Sequence, residues 1–201
     1  MAKALVIFLH GVGSNGEDLA ALGRHWAPML PDVIFAAPDA PYPFPHGAGF
    51  EWFSLDGVTP DNRPARVRAA RAAFDATLEA ILARHGLRDQ WDNVVLVGFS
   101  QGSIMALDAL ASGRFPLAGV VAFSGRLAFD EPLSPSVQTP ALLIHGHADA
   151  VIPWRESESA AQRLKAAGVS LELQLEPRTE HTISAQGAMR AAAFIAQCLQ
   201  D

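Results

Sequence analysis

Cysteine is almost missing from this chain: among its 201 residues only Cys198 carries a thiol. A single cysteine forms no internal disulfide and no thiolate metal cluster, a usage that suits a reducing compartment. Cys198 itself reads as a packing residue on the apolar face of a terminal helix. Excess basic charge is missing as well. The formal net charge is −6, which leaves no stripe of Lys and Arg for phosphates or anionic lipid and argues against nucleic acid as a partner. Long hydrophobic runs are also lacking. The N-terminal ALVIFLH is too short to span a bilayer and lacks a small-residue cleavage site. The expectations are therefore a cytoplasmic location and no stable membrane insertion. There is no internal repeat, no low-complexity tract and no block of like charge.

What is present describes one globular domain over 1–201, since half of the residues are apolar and 18% are charged, enough to bury a sizeable core. Short runs rich in Val, Leu, Ile and Phe recur at 5–9, 33–37, 94–97, 117–123, 141–145 and 171–175. Such runs suit parallel strands buried on both faces. Helical patterns lie between them. Asn62 and Pro64 mark a helix start, Val67, Phe74, Leu78, Ile81 and Leu82 share one face, and Gly86 marks the stop. Further helices are expected over 103–110, 155–167 (stopped by Gly168) and 184–200. Alternation of this kind predicts an α/β fold, a mostly parallel central sheet with helices on both faces.

The segment 38–60, PDAPYPFPHGAGFEWFSLDGVTP, breaks the rhythm. It holds five prolines and five aromatics and shows no helix or strand period. Its length suits a lid-like loop over a site or, equally, a well-packed structural loop.

The chemistry is concentrated in VVLVGFSQGS, residues 94–103. Gly-x-Ser-x-Gly between a buried strand and a helix forces Ser100 into a sharp turn where flanking side chains would strike backbone. The hydroxyl then stands alone above the sheet. The Gln101 N–H and the helix N-terminus point to where an oxyanion would form. A nucleophilic serine needs a base, and the base needs an orienting acid. In strand-turn-helix sites of this type the partners follow in the order Ser, Asp or Glu, His. Of seven histidines only His145, His147 and His181 follow Ser100. His181 lies beyond the last strand and before the terminal helix, and Asp149 lies just beyond the preceding strand. Each of the three thus falls at the carboxyl end of a different strand, where parallel α/β sheets place their sites.

Two other motifs compete. GVGSNG, residues 11–16, matches a dinucleotide fingerprint with Asp39 as the ribose ligand, yet that reading leaves Ser100, Asp149 and His181 without a role. The same turn serves better as the source of a second oxyanion donor, the Val12 N–H. HGHAD, residues 145–149, resembles a binuclear metal ligand run. Ala150 stands where another histidine would be needed, and His181 is the one histidine left downstream. No metal and no cofactor are expected. His145 and His147 read as packing at the strand end and edging the site. Trp52, Phe53, Leu55, Ile152 and Trp154 are candidates for an acyl pocket, each equally readable as core or loop packing.

FLHGVGSNGEDL, EWFSLDG, VVLVGFSQGS, LAGVVAFSG, HGHADAVIP and EHTIS together resemble, in order and spacing and over nearly the whole chain, the phospholipase/carboxylesterase family of small α/β-hydrolases, which includes acyl-protein thioesterases. The resemblance implies a minimal α/β-hydrolase fold lacking the first two strands of larger relatives. It also implies a Ser100, Asp149, His181 triad with the Val12 and Gln101 N–H groups as oxyanion hole. His147 stands where many relatives have Asp, Thr179 and Glu180 replace a glycine-rich approach, and Leu127 and Ala128 replace Leu-Pro. These departures bear on substrate preference. The expected activity is hydrolysis of short-chain carboxylic esters, with thioesters or lysophospholipids of longer chain as an alternative. A noncatalytic binding protein on the same scaffold is a reading of another class. The expected partner is a small ester or thioester, with a homodimer through an exposed aromatic lid as a further candidate.

Overall fold

A computed structural model describes residues 4–200; positions 1–3 and 201 of the expected domain span lie outside the described residues. Six strands form one sheet: β1 (Ala4–Leu9), β2 (Val33–Ala36), β5 (Val94–Phe99), β6 (Gly119–Phe123), β7 (Ala141–Gly146) and β8 (Leu171–Glu176). Their spatial order is β2-β1-β5-β6-β7-β8, and every adjacent pair is parallel. The four inner strands are apolar except at His145 near the end of β7, because helices cover both faces. Alternate side chains sort accordingly. Leu5, Ile7, Leu96, Val120 and Leu143 join one buried cluster, and Val6, Phe8, Val97, Val121 and Ile144 join another.

Helices α2 (Arg63–Arg84), α3 (Gln101–Ser112) and α4 (Arg155–Ala166) cover the first face. Helices α1 (Gly16–Trp26) and α5 (Ala185–Cys198) cover the second. The expected stripe on α2 is buried at Val67, Phe74, Leu78, Ile81 and Leu82. Gly86 and Gly168 follow the ends of α2 and α4 with φ of +72° and +95°, a backbone that only glycine adopts without strain. Asn62 does not cap α2 with its side chain. Its Oδ1 accepts from Thr59 N–H and its Nδ2 donates to the Gly57 carbonyl, because Asn readily closes a local turn instead. Cys198 is half-buried in the last turn of α5, and burial pushes its thiol up to about 11.

The segment 38–60 is more regular than its composition suggests. It folds back as a two-stranded hairpin, β3 (Tyr42–Pro43) and β4 (Phe50–Glu51). The Phe50 carbonyl accepts from Gly13 N–H and the Phe50 N–H donates to the Ser14 carbonyl, both at 2.8 Å. Strands of two residues carry no period of their own, so this pairing depends on a partner more than thirty residues away. The hairpin is thereby fastened to the loop between β1 and α1.

Candidate active site

The turn from β5 to α3 holds Ser100 at φ 54° and ψ −115°. For a residue with a side chain this backbone costs on the order of 1–3 kcal/mol and persists only when its surroundings enforce it. They do so through close packing and one hydrogen bond. A methyl on Gly98 would overlap the backbone at Ser103, and one on Gly102 would overlap the Leu9 carbonyl. Ser100 N–H donates to the Phe123 carbonyl on the neighbouring strand at 3.0 Å. Gly98 therefore lets the start of α3 fold back on its own strand, and Gly102 lets it press against β1.

Ser100, Asp149 and His181 come together from three strand ends. Ser100 Oγ lies 3.1 Å from His181 Nε2, and His181 Nδ1 lies 2.7 Å from Asp149 Oδ2. An ionised carboxylate only accepts, so Nδ1 carries the proton and Nε2 is left to accept from the serine hydroxyl. Burial alone would raise the Asp149 carboxyl. Hydrogen bonds from His181 and from the Ile152 and Val151 amides outweigh it and hold the group below its ordinary value. The arrangement can accept the serine proton on an imidazole whose positive charge a buried carboxylate offsets.

His145 also bonds Asp149. Its ring is fully buried, with Nε2 at 3.1 Å from Asp149 Oδ2 and 2.8 Å from the Ile152 carbonyl. Two acceptors at Nε2 place the proton there, so Nδ1 accepts from Ser157 Oγ–H at 2.6 Å. Burial pushes the His145 pKa down, which keeps the ring neutral. Both nitrogens are thus committed. His147 points out against the Trp154 ring at 4.6 Å between centroids, and no cluster of three metal-ligating side chains occurs among the described residues.

The loop bearing His181 is held at both ends. Thr179 and Glu176 carbonyls accept from the Ala148 and His147 amides, which ties it to the Asp149 turn. Glu176 accepts from Ser184 Oγ, which in turn caps α5 at Gly187 N–H at 2.8 Å. Neither Val12 nor Gln101 spends its backbone N–H on another described residue. The second of these stands at the positive end of α3.

The β1–α1 turn is closed to a dinucleotide. Asp39 Oδ1 accepts from Gly16 N–H at 2.8 Å, and a side chain at Gly16 would strike the Ala37 carbonyl. The first amide of α1 is therefore occupied by the carboxylate that would have met a ribose. His10 steadies the same turn. It donates from Nδ1 to the Gly11 carbonyl at 2.7 Å and accepts from Ala40 N–H at Nε2, and burial lowers its pKa. Sequence reasoning gave His10 no such part, although a histidine directly after a buried strand was a visible signal.

A cavity of about 470 Å³ opens beside Ser100 and His181, lined by Val12, Leu19, Phe99, Val151 and Ile183, with the Asp18 carboxylate at one side. The five residues expected to form an acyl pocket lie elsewhere. Trp52 and Phe53 are buried; Trp52 Nε1 donates to the His10 carbonyl and its ring meets Phe74 edge-on. Leu55 is exposed on the loop. Ile152 works through its backbone, and Trp154 covers His147. An apolar side chain near a site goes to whichever wall the backbone turns it toward, which spacing does not encode.

A model of the family described as phospholipase/carboxylesterase matches residues 1–199. Esterase YpfH of Escherichia coli strain K12 is 34% identical over 182 residues, 90% of this chain and 77% of its own. Acyl-protein thioesterase 1 of Gibberella zeae is 24% identical over 96% of this chain and 89% of its own. The crystal structure of esterase PE8 superposes with a TM-score of 0.88 at 38% identity, covering 98% of this chain and 94% of that one. The parallel sheet, the serine turn and these likenesses agree: the chain belongs to the phospholipase/carboxylesterase family of α/β-hydrolases and is a carboxylic ester hydrolase.

Proposed function

We propose that the chain hydrolyses short-chain carboxylic esters through a Ser100, His181, Asp149 triad and an acyl-enzyme. The observation that carries this reading is the unbroken line of hydrogen bonds from Ser100 Oγ through His181 to Asp149. His181 Nε2 takes the hydroxyl proton as Oγ attacks the ester carbonyl, and Asp149 stabilises the imidazolium that forms. The Val12 and Gln101 N–H groups bind the oxyanion. His181 then protonates the departing alcohol, and the same ring activates the water that releases the acid. No cofactor takes part.

The cavity beside Ser100 supports small acyl groups. Its walls are apolar at Leu19, Val151 and Ile183, while Trp52 and Phe53 are buried and line no part of it. Asp18, whose carboxylate accepts from Ser14 Oγ, puts negative charge at the rim and disfavours anionic substrates. The likeness to acyl-protein thioesterase 1 favours thioesters as a second reading. A cytoplasmic location fits it; no described helix is long and apolar enough to cross a membrane.

A fluorophosphonate probe tests the nucleophile. Covalent labelling that maps to Ser100 and disappears in His181→Ala is the expected result. An unlabelled wild-type protein would favour a binding role for the same scaffold.

A further inference from the structure

The aim of the Asp149 carboxylate depends on the turn between β7 and α4. Its Oδ2 faces His181, while its Oδ1 accepts from the Val151 and Ile152 amides at 2.8 and 2.9 Å. Those two amides belong to the turn itself, so the carboxylate is directed only as well as the turn is held. Ala150, Val151 and Pro153 are exposed, and water on that outer side fixes no position.

The inner side is fastened by His145. Its Nε2–H donates to the Ile152 carbonyl at 2.8 Å and faces Asp149 Oδ2 at 3.1 Å. Among the described residues no other group donates to that carbonyl. The far side of the ring is anchored to α4, where Ser157 Oγ–H donates to Nδ1 at 2.6 Å. Both side chains are buried, which leaves the ring no room to turn.

Two features separate this contact from ordinary core packing. His145 lines no part of the cavity beside Ser100, so it reaches the reaction through Asp149 and not through the substrate. The ring is also neutral, since burial lowers its pKa. A cation in the same place would offset the charge of Asp149 and weaken its hold on the His181 imidazolium. A neutral donor directs the carboxylate and leaves that charge in place.

We infer that His145 is a positioning residue for ester hydrolysis, anchored by Ser157 and acting through the Ile152 carbonyl and Asp149 Oδ2 to keep the carboxylate in line with His181. This role presupposes that Ser100, His181 and Asp149 form the triad. Rate responds steeply to such alignment, because a displacement of about 1 Å can cost on the order of 100-fold.

The experiment measures kcat and KM of the full chain for p-nitrophenyl butyrate. His145→Leu, His145→Asn and His145→Gln are each made in the wild-type and Asp149→Ala backgrounds. His145→Leu removes both ring contacts. His145→Asn puts an amide near the Nδ1 position and leaves the Nε2 position empty, whereas His145→Gln reaches far enough to return an N–H there. In His145→Leu and His145→Asn kcat is expected to fall about 10- to 100-fold with KM within about twofold of wild type. His145→Gln should recover most of that loss. In the Asp149→Ala background the same substitutions should cost no more than about threefold, because the group they act through is gone. Should His145→Leu fail to fold, the contrast between His145→Asn and His145→Gln decides. An undiminished kcat in His145→Asn, a change confined to KM, no recovery in His145→Gln, or a loss repeated in full without Asp149 would overturn the assignment and leave the triad standing. A loss under about tenfold in Asp149→Ala itself would overturn the triad, and this role with it.

Discussion

Gln101 brackets the Trp52–Phe53 dipeptide through its outer N–H and outer carbonyl. Its Oε1 accepts from Trp52 N–H at 2.7 Å and its Nε2 donates to the Phe53 carbonyl at 2.8 Å. All three residues are buried. One residue thus contributes its backbone N–H beside Ser100 and uses its side chain to fix the segment that follows the hairpin.

Replacing Gln101 with Ala should therefore damage stability while keeping the backbone donor. It leaves a buried N–H and a buried carbonyl unpaired, at about 1–3 kcal/mol each. For a chain of this size that corresponds to a fall in Tm of roughly 5 °C or more, readable by calorimetry. A Tm within one degree or so of wild type would mean that the clamp is replaced by water.

Gly102 should tolerate no side chain. A methyl there overlaps the Leu9 carbonyl of β1, and the strands are locked in register by parallel pairing. Gly102→Ala is expected to be destabilised by about 3 kcal/mol or more, in the range of a severe core clash, seen as a lower urea midpoint or loss of soluble protein. Gly86→Ala, which has open space around it, should cost about 1 kcal/mol through its positive φ alone.

Stability should fall on mild acidification. An unfolded histidine takes up a proton near its ordinary value of 6.5, whereas the buried rings of His10 and His145 have lowered pKa values and stay neutral further down. The unfolded chain then binds more protons than the folded one, so stability is full above 6.5 and is lost as pH falls toward the folded values. Asp149, held below 3.8, adds a loss at lower pH. Glu51 acts in the other direction: its pKa is raised above 4.5, so its contribution is full below that value and lost as pH rises through the folded pKa. Tm measured from about pH 8 down to about pH 5, where histidine titrates, should decline. A flat or rising profile would contradict buried neutral histidines.

The elements of the sheet were legible because the inner strands are almost wholly apolar, as 94–97 and 141–144 show, with His145 their one polar side chain. The order Ser100, Asp149, His181 was legible because strand ends can be read from the same runs. Glycine positions carried a signal of their own, since Gly98 and Gly102 stand where backbone crowds backbone. What spacing did not carry were contacts between distant segments. The hairpin at 42–51 exists through its pairing with Gly13 and Ser14. A further contact on Asp149 Oδ2 comes from His145, a residue expected at the strand end and the edge of the site but with no partner readable from spacing. The walls of the Ser100 cavity come from Leu19, Val151 and Ile183, not from the aromatic segment that composition singled out.

The most direct test of the central claim is hydrolysis of p-nitrophenyl esters from acetate through butyrate, hexanoate and octanoate to palmitate, with Ser100→Ala, His181→Ala and Asp149→Ala beside the wild type. The account predicts a maximum at hexanoate or shorter. It also predicts kcat losses of about 10⁶ for the first two variants and about 10⁴ for the third. A maximum at octanoate or beyond would contradict the short-chain assignment, and a loss under about tenfold in any of the three variants would remove that residue from the triad.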